Sequence, residues 1–114
     1  ILNGAHTALV AKARPLGLET VRQAVLDLRI GPWLESLLFE EIVPTLSGRT
    51  DGPEQFARQT LERFANPYLE HRLADIAIHH EVKCQTRLLP TYHEYCDRFG
   101  RSPRLLGEAL KGMV

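Results

Sequence analysis

An amide and an imidazole stand three residues apart near the start of the sequence, as Asn3 and His6 in Leu2-Asn3-Gly4-Ala5-His6-Thr7. Three residues make nearly one helical turn, so on a helix the two side chains point the same way and act on one ligand atom. Two donors on one carbonyl oxygen would stabilise the negative charge that develops when a ketone is reduced. The structural alternative is that Asn3 caps the first helix and His6 is an ordinary, partly buried residue. The chemical interpretation also needs a proton donor and a hydride source, and neither is evident in this sequence.

A second group of chemically capable residues contains histidine and cysteine at helical spacing. His80 and Cys84 are four residues apart, and His93 and Cys96 are three residues apart. Two such pairs on neighbouring helices could in principle close a tetrahedral zinc site. Such pairs also arise by chance, and Pro90 interrupts the segment between them, so we favour buried free thiols for both cysteines.

Several basic residues are candidates for holding an anionic ligand. Lys83 and Arg87 are four residues apart, and Lys12, Arg14 and Arg72 are further cations. A solvated helix face is the ordinary explanation for such residues. The eight glycines never form a G-x-G-x-x-G pattern or a Gly-Lys-Ser/Thr loop, so the sequence predicts no dinucleotide cradle of a recognised kind within the chain.

Helices must position these residues, because apolar residues recur at three- and four-residue steps. The first two stripes are Leu18, Val21, Val25 and Leu28, bounded by Gly17 and Gly31-Pro32, and then Leu34, Leu37, Leu38 and Ile42. We expect Pro44 to kink or end the second of these helices. The segment from Ser47 to Pro53 has the composition of a surface loop.

Later helices are predicted to begin where a small polar residue precedes a proline, because the polar side chain can cap and proline suits the first turn. This device occurs at Asp51-Gly52-Pro53, Asn66-Pro67 and Ser102-Pro103. Another helix is predicted from Leu88 to Phe99, with Gly100 as its stop. No stretch alternates as a strand does. The sequence therefore predicts an all-α, single helical domain of about six or seven helices over residues 1–114.

The composition argues against two classes of partner. The 114 residues contain 14 basic and 14 acidic side chains, and with no basic and aromatic cluster we expect no binding to nucleic acid. The apolar stretches are too short to span a membrane. Two cysteines are typical of free thiols in a reducing compartment, so a cytoplasmic location is expected.

Five motifs in the right order resemble the C-terminal helical domain of the long-chain mannitol dehydrogenase family of polyol and sugar-acid oxidoreductases. The resemblance covers essentially the whole chain. Its motifs are Leu2-Asn3-Gly4-Ala5-His6-Thr7, Leu18-Glu19-Thr20-Val21, Phe39-Glu40-Glu41-Ile42-Val43-Pro44-Thr45-Leu46, Glu62-Arg63-Phe64-Ala65-Asn66-Pro67, and Lys83 with Arg87-Leu88-Leu89-Pro90.

The resemblance implies a two-domain enzyme, in which an N-terminal Rossmann-like domain binds NAD and the C-terminal helical domain closes over the substrate. The family signature Lys-x-x-x-x-Asn-x-x-His places its Asn at Asn3 and its His at His6, as the catalytic groups that hold the reacting oxygen. The general acid/base Lys would precede the first residue of this chain. A later family Lys, near the substrate, matches Lys83. The chain alone is therefore expected to be inactive. Its expected partner is its own N-terminal domain. Because the interface between the two domains would then be exposed, self-association of the chain is also expected.

Within the family, the wording of the motifs is most similar to the branch that interconverts tagaturonate and altronate. His79-His80-Glu81-Val82 departs from the small polar residues that commonly precede the later Lys. Asp75 stands where the mannitol-type branch has Arg, which argues against mannitol as substrate. The alternatives are the fructuronate or mannitol branches, or a stand-alone helical module for metal binding or interaction with Cys84, Cys96, His80 and His93 as its zinc ligands.

Overall fold

The computed structural model describes residues 2–46, 52–67 and 71–111, and side chains from residue 4 onward. The α-helices are α1 (Leu2–Ala13), α2 (Val21–Leu26), α3 (Gly31–Ser36), α4 (Val43–Leu46), α5 (Pro53–Phe64), α6 (Leu73–Ile76), α7 (His80–Arg87), α8 (Leu89–Phe99) and α9 (Arg104–Ala109). A π-helical stretch, Leu37–Ile42, joins α3 to α4, and a 3-10 turn, Arg14–Leu16, follows α1. If α3 to α4 is taken as one continuous helix and the single turn α6 is set aside, the described part has seven helices. The all-α prediction is confirmed.

Local sequence accounts for several helix ends. Thr20 opens α2 with a capping box, in which its side chain accepts from the backbone of Gln23 and the Gln23 side chain accepts from the backbone of Thr20. Pro53 occupies the first turn of α5, as predicted. Gly100 ends α8 in the left-handed region with φ 67°, also as predicted, because glycine has no Cβ to oppose that conformation.

Helix α1 runs through the middle of the molecule. Its buried residues Ala5, Ala8, Leu9 and Ala13 are fully inaccessible to solvent. Alanines on a helix surface let neighbouring helices approach closely, and α1 packs against α2, α3, α5, α6, α7 and α9. The residues at the start of α1, where Asn3 and His6 lie, are therefore carried on the most enclosed element of the fold.

The prediction that Leu28 belongs to the apolar stripe of α2 is wrong. Leu28 is 92% exposed, because α2 ends at Leu26 before the predicted stripe is complete. Helical structure continues past Pro44 to Leu46, after the wider π turn, in which the N–H of Val43 donates to Leu38 five residues back. That wider turn gives room for the proline ring, which in a regular α-helix would crowd the carbonyl four residues before it.

The predicted helix starts at Asn66-Pro67 and Ser102-Pro103 also differ. In the described part of the chain, which omits residues 68–70, the next helix after Asn66 begins at Leu73 and follows an extended Arg72. Ser102 does not cap α9. The residue directly before α9 is Pro103, which is extended and provides no side-chain cap. Among the described helices none is both long and apolar enough to cross a membrane.

Candidate functional site

His6 lies half-buried on α1 against two other rings. Its imidazole centre is 4.4 Å from the ring centre of Phe64, at the end of α5, and 5.9 Å from that of His71. Phe64 is 3% exposed and provides an apolar wall on one side of the imidazole. Burial beside apolar groups strengthens the hydrogen bonds that an imidazole makes. The predicted catalytic histidine is thus held in a partly desolvated position, where its hydrogen bond to a ligand oxygen would be strong.

The segment that carries His71 is fixed by backbone hydrogen bonds to the start of α2. The His71 carbonyl accepts from the N–H of Val21 at 2.9 Å, and the N–H of Leu73 donates to the carbonyl of Glu19 at 2.8 Å. These bonds form an isolated antiparallel bridge between Thr20 and Arg72. Such a bridge limits backbone motion, so the His71 ring keeps its place beside α1.

Asn3 is the second residue of α1, which begins at Leu2. Asn3 and His6 therefore both stand inside one helix, as the spacing argument requires, and Asn3 does not occupy the residue before the helix, as the capping alternative would have it. The Asn3 side chain lies outside the described residues, so the position of its amide stays a prediction.

Lys83 lies on α7 with its ammonium turned toward α6. Its Nζ donates to the carbonyl oxygen of Ile76 at 2.7 Å. Ile76 is the last residue of α6, where backbone carbonyls have no partner within the helix. The segment from His71 to Ile76 therefore contacts His6 at one end and Lys83 at the other, which places the two sequence-predicted side chains against one short stretch of chain.

His80 and Cys84 come together, as their spacing predicted. Cys84 Sγ is 3.4 Å from His80 Nε2. Burial raises the pKa of the Cys84 thiol, with a further contribution from Glu81. Burial also lowers the pKa of His80, helped by the nearby charges of Arg14 and Lys83. Both groups are accordingly neutral near pH 7, which is the opposite of an activated thiolate and imidazolium pair.

The four-ligand zinc site is not supported by the part of the chain that the structure describes. There, no three His, Cys, Asp or Glu side chains gather closely enough to hold a metal ion. His93 is exposed and packs edge-on against Tyr92, with 5.8 Å between ring centres. Cys96 is a half-buried free thiol.

Lys12 has different surroundings from Arg14 and Arg72. Lys12 pairs with Glu108 at 3.3 Å and lies over the Trp33 ring, so it has a structural contact on the face of α1 toward α9. Arg14 and Arg72 both line a surface pocket of about 590 Å³. The pocket is completed by Gly17, Leu18, Glu19, Thr20 and Ala74.

The residues that depart from the family pattern lie around the start of α7. His79 has φ 57°, the left-handed region that non-glycine residues rarely adopt. Asp75, His79 and Glu81 are exposed, whereas His80 is half-buried and lines a shallow pocket of about 370 Å³ with Arg14. The strained His79 is the turn that redirects the chain from α6 into the helix of Lys83.

Sequence reasoning missed His71 and Phe64 as neighbours of His6. Both stood within or beside the quoted motifs, but nothing in their spacing relates them to α1, because contacts between distant segments leave no periodic signal.

Comparisons with known proteins agree with the motifs. Residues 1–112 match the family model for the mannitol dehydrogenase C-terminal domain. Altronate oxidoreductase of Pectobacterium atrosepticum is 42% identical over 114 residues, which cover 100% of this chain and 23% of that protein. Altronate oxidoreductase of Bacillus subtilis is 43% identical over 106 residues, covering 93% of this chain and 22% of that protein. The protein of the same name from Halalkalibacterium halodurans is 39% identical over 118 residues, covering 100% and 22%.

These relatives are much longer than the chain, which spans less than a quarter of their length. The family match, by contrast, takes in nearly every residue of the chain, including the helix of His6 and the helix of Lys83. The chain belongs to the mannitol dehydrogenase C-terminal domain family.

Proposed function

We propose that residues 1–114 are the C-terminal, substrate-binding domain of a longer NAD-dependent oxidoreductase that interconverts tagaturonate and altronate. The observation that carries the proposal is the half-buried His6 imidazole, on the first turns of the central helix and three residues after Asn3. The relatives' name, altronate oxidoreductase, supplies the alcohol of this pair. Its ketone, tagaturonate, follows from the resemblance of the motifs to the branch that interconverts the two. The reaction is the reversible reduction of a ketone to a secondary alcohol.

In this proposal His6 and Asn3 donate hydrogen bonds to the carbonyl oxygen of the substrate. Donors that are already in place stabilise the charge that grows on this oxygen, without reorganisation at the moment of reaction. Phe64 supports the role of His6, since it excludes water from one side of the imidazole. The proton that completes the alcohol comes from a lysine in the part of the longer protein that precedes Asn3.

The described residues do not fit NAD by themselves. They form no strand beyond an isolated bridge, and none of their glycines belongs to a phosphate-binding pattern. We therefore place NAD on the part of the longer protein outside this chain, and we expect the 114-residue chain alone to show no turnover.

Lys83 is proposed to bind the sugar acid away from the reacting carbon. An ammonium has three N–H donors, and one of them is occupied by the Ile76 carbonyl. That bond orients the side chain and leaves two donors for a carboxylate or hydroxyl oxygen. A positive charge on a half-buried amine favours an acid over a neutral polyol.

The test is kinetic and uses the complete protein that contains this chain. NADH oxidation is measured with tagaturonate, fructuronate and fructose, the ketone partner of mannitol. We expect tagaturonate to have the highest kcat/KM and His6→Phe, which removes both ring nitrogens, to lower kcat by about 100-fold or more, as loss of an oxyanion donor does elsewhere. His93→Phe is the matched control, because His93 is an exposed imidazole on α8.

Lys83→Met separates substrate binding from chemistry in the same assay. We expect it to raise KM for the acid with a smaller change in kcat. The proposal fails if the complete protein turns over none of the three substrates, or if His6→Phe behaves as the His93→Phe control does. A preference for fructuronate would move the protein to another branch and reject the tagaturonate assignment.

A further inference from the structure

We propose that His71 is a second substrate-contacting imidazole. It donates a hydrogen bond to the hydroxyl on one of the two carbons next to the reacting carbonyl. The inference rests on the proposed function, because it assumes that the carbonyl oxygen lies at His6. It names a specificity residue outside the Asn3, His6 and Lys83 set.

The first support is the placement of the ring. The centre of the His71 imidazole is 5.9 Å from that of His6, with 54° between the ring planes. Phe64 packs against His6 at 4.4 Å, so the His6 ring has an apolar neighbour as well as this polar one. His6 and His71 are both half-buried, so each residue keeps part of its surface accessible to solvent.

The second support is the rigidity of the segment. The backbone on both sides of residue 72 is tied to the start of α2, through Val21 to the His71 carbonyl and through Leu73 to Glu19. The far end of the same segment is held by Lys83 at the Ile76 carbonyl. A donor on backbone that is anchored at both ends needs little reordering to bind, which is the property a specificity contact requires.

The third support is the match between two donors and an α-hydroxy ketone. The proposed substrate carries a hydroxyl on each of the two carbons beside its carbonyl, so the carbonyl oxygen has a hydroxyl oxygen as its neighbour in either direction along the chain. A hydrogen bond from a ring N–H to oxygen spans about 2.9 Å between heavy atoms. Rings whose centres are 5.9 Å apart therefore leave room for each imidazole to reach one of two neighbouring oxygens.

The purely structural alternative is that His71 only packs against His6. The two roles differ in what a phenylalanine would do. His71→Phe keeps an aromatic ring beside His6 but removes both ring nitrogens, whereas His71→Gln keeps an N–H donor and removes the ring.

The experiment assays each of these variants with the full substrate and with a substrate that lacks the hydroxyl. The complete protein is assayed with tagaturonate and with its two analogues, each deoxygenated at one of the two carbons next to the carbonyl; the analogue that the unchanged protein reduces less efficiently is used with the variants. For the unchanged protein we expect the analogue to lower kcat/KM by about threefold to tenfold, the range of one hydrogen bond. We expect His71→Phe to lower kcat/KM for tagaturonate by a similar factor and to show no further loss with the analogue.

Rescue by the conservative variant completes the test. His71→Gln should recover part of the discrimination between the two substrates, and its far-ultraviolet circular dichroism reports whether the fold is kept if His71→Phe fails to fold. Discrimination in His71→Phe equal to that of the unchanged protein would overturn the inference, as would loss of discrimination from both variants. If the unchanged protein reduces no keto acid, the proposed function has failed instead, so the two failures are distinguishable.

Discussion

The carboxylate of Glu41 caps a helix from which it is far removed in sequence, and its removal should destabilise the chain measurably. Glu41 lies in the π-helical stretch and is 6% exposed. Its two oxygens accept from the backbone N–H groups of Leu105 at 2.9 Å and Leu106 at 2.7 Å. These are among the first N–H groups of α9, which Pro103 cannot cap because it has no polar side chain.

The expected cost of Glu41→Gln follows from this geometry. Glutamine has one oxygen, so one of the two N–H groups loses its acceptor and faces the amide NH₂. A buried donor without a partner costs about 1–3 kcal/mol. Burial raises the pKa of Glu41, against the opposing effect of the two N–H donors, so removal of its charge recovers part of this cost. We therefore expect a loss of about 2 kcal/mol in the free energy of unfolding.

The same pKa shift predicts how the cost depends on pH. Because the native pKa of Glu41 lies above its ordinary value of 4.5, the folded chain binds this proton more tightly than the unfolded chain. The stability contributed by Glu41 is then complete below pH 4.5 and declines as pH rises through the native pKa. Glutamine does not titrate, so the penalty of Glu41→Gln should be larger at pH 4.5 than at pH 7.5.

The assay is urea unfolding of the 114-residue chain, followed by circular dichroism at 222 nm at both pH values. Glu40→Gln is the matched control, since Glu40 is the exposed neighbour on the same helical stretch. A difference below about 0.5 kcal/mol between the two variants would refute the capping argument, because substitutions at ordinary surface positions fall within that range. A penalty that grows with pH would refute the argument from burial.

Three further outcomes are expected from the described contacts. Gly31→Ala should lower the free energy of unfolding by about 1–3 kcal/mol in the same urea assay, because its Cβ would meet the Val25 carbonyl oxygen at 2.5 Å; unchanged stability would contradict this packing. His79→Val should cost about 1–2 kcal/mol while His79→Gly should not, because φ 57° is hard for a β-branched residue and easy for glycine; equal effects of the two would reject the strain. An NMR titration should give Asp27 a pKa of about 2, because the Arg29 side chain and N–H both donate to it, and Arg29→Gln should return the pKa toward 3.8.

Elements whose ends depend on local chemistry were predictable from the sequence. The start of α5 at Pro53 and the end of α8 at Gly100 follow from proline at a first turn and from glycine in the left-handed region. Pro44 stands within helical structure because the π turn directly before it makes room for its ring. Ser102 does not cap α9 because the cap comes from Glu41, which is distant in sequence.

Some residues of the candidate site were likewise predictable from the sequence, and others were not. The motifs and their order were sufficient to predict the family and to select Asn3, His6 and Lys83, because those assignments depend on residue type and position alone. No pattern could relate His71 to His6, since the two are brought together by α1 and the bridge to α2.

The sequence by itself determined that the chain is all-α, that two donors stand one turn apart on its first helix, and which family it belongs to. Each of these follows from periodicity or from an ordered set of motifs. Only the tertiary structure decided that His6 contacts the rings of Phe64 and His71 and that Lys83 donates to the carbonyl of Ile76. The physical reason is that helix formation and capping depend on neighbours a few residues away, whereas the surroundings of a side chain depend on which distant helices pack around it.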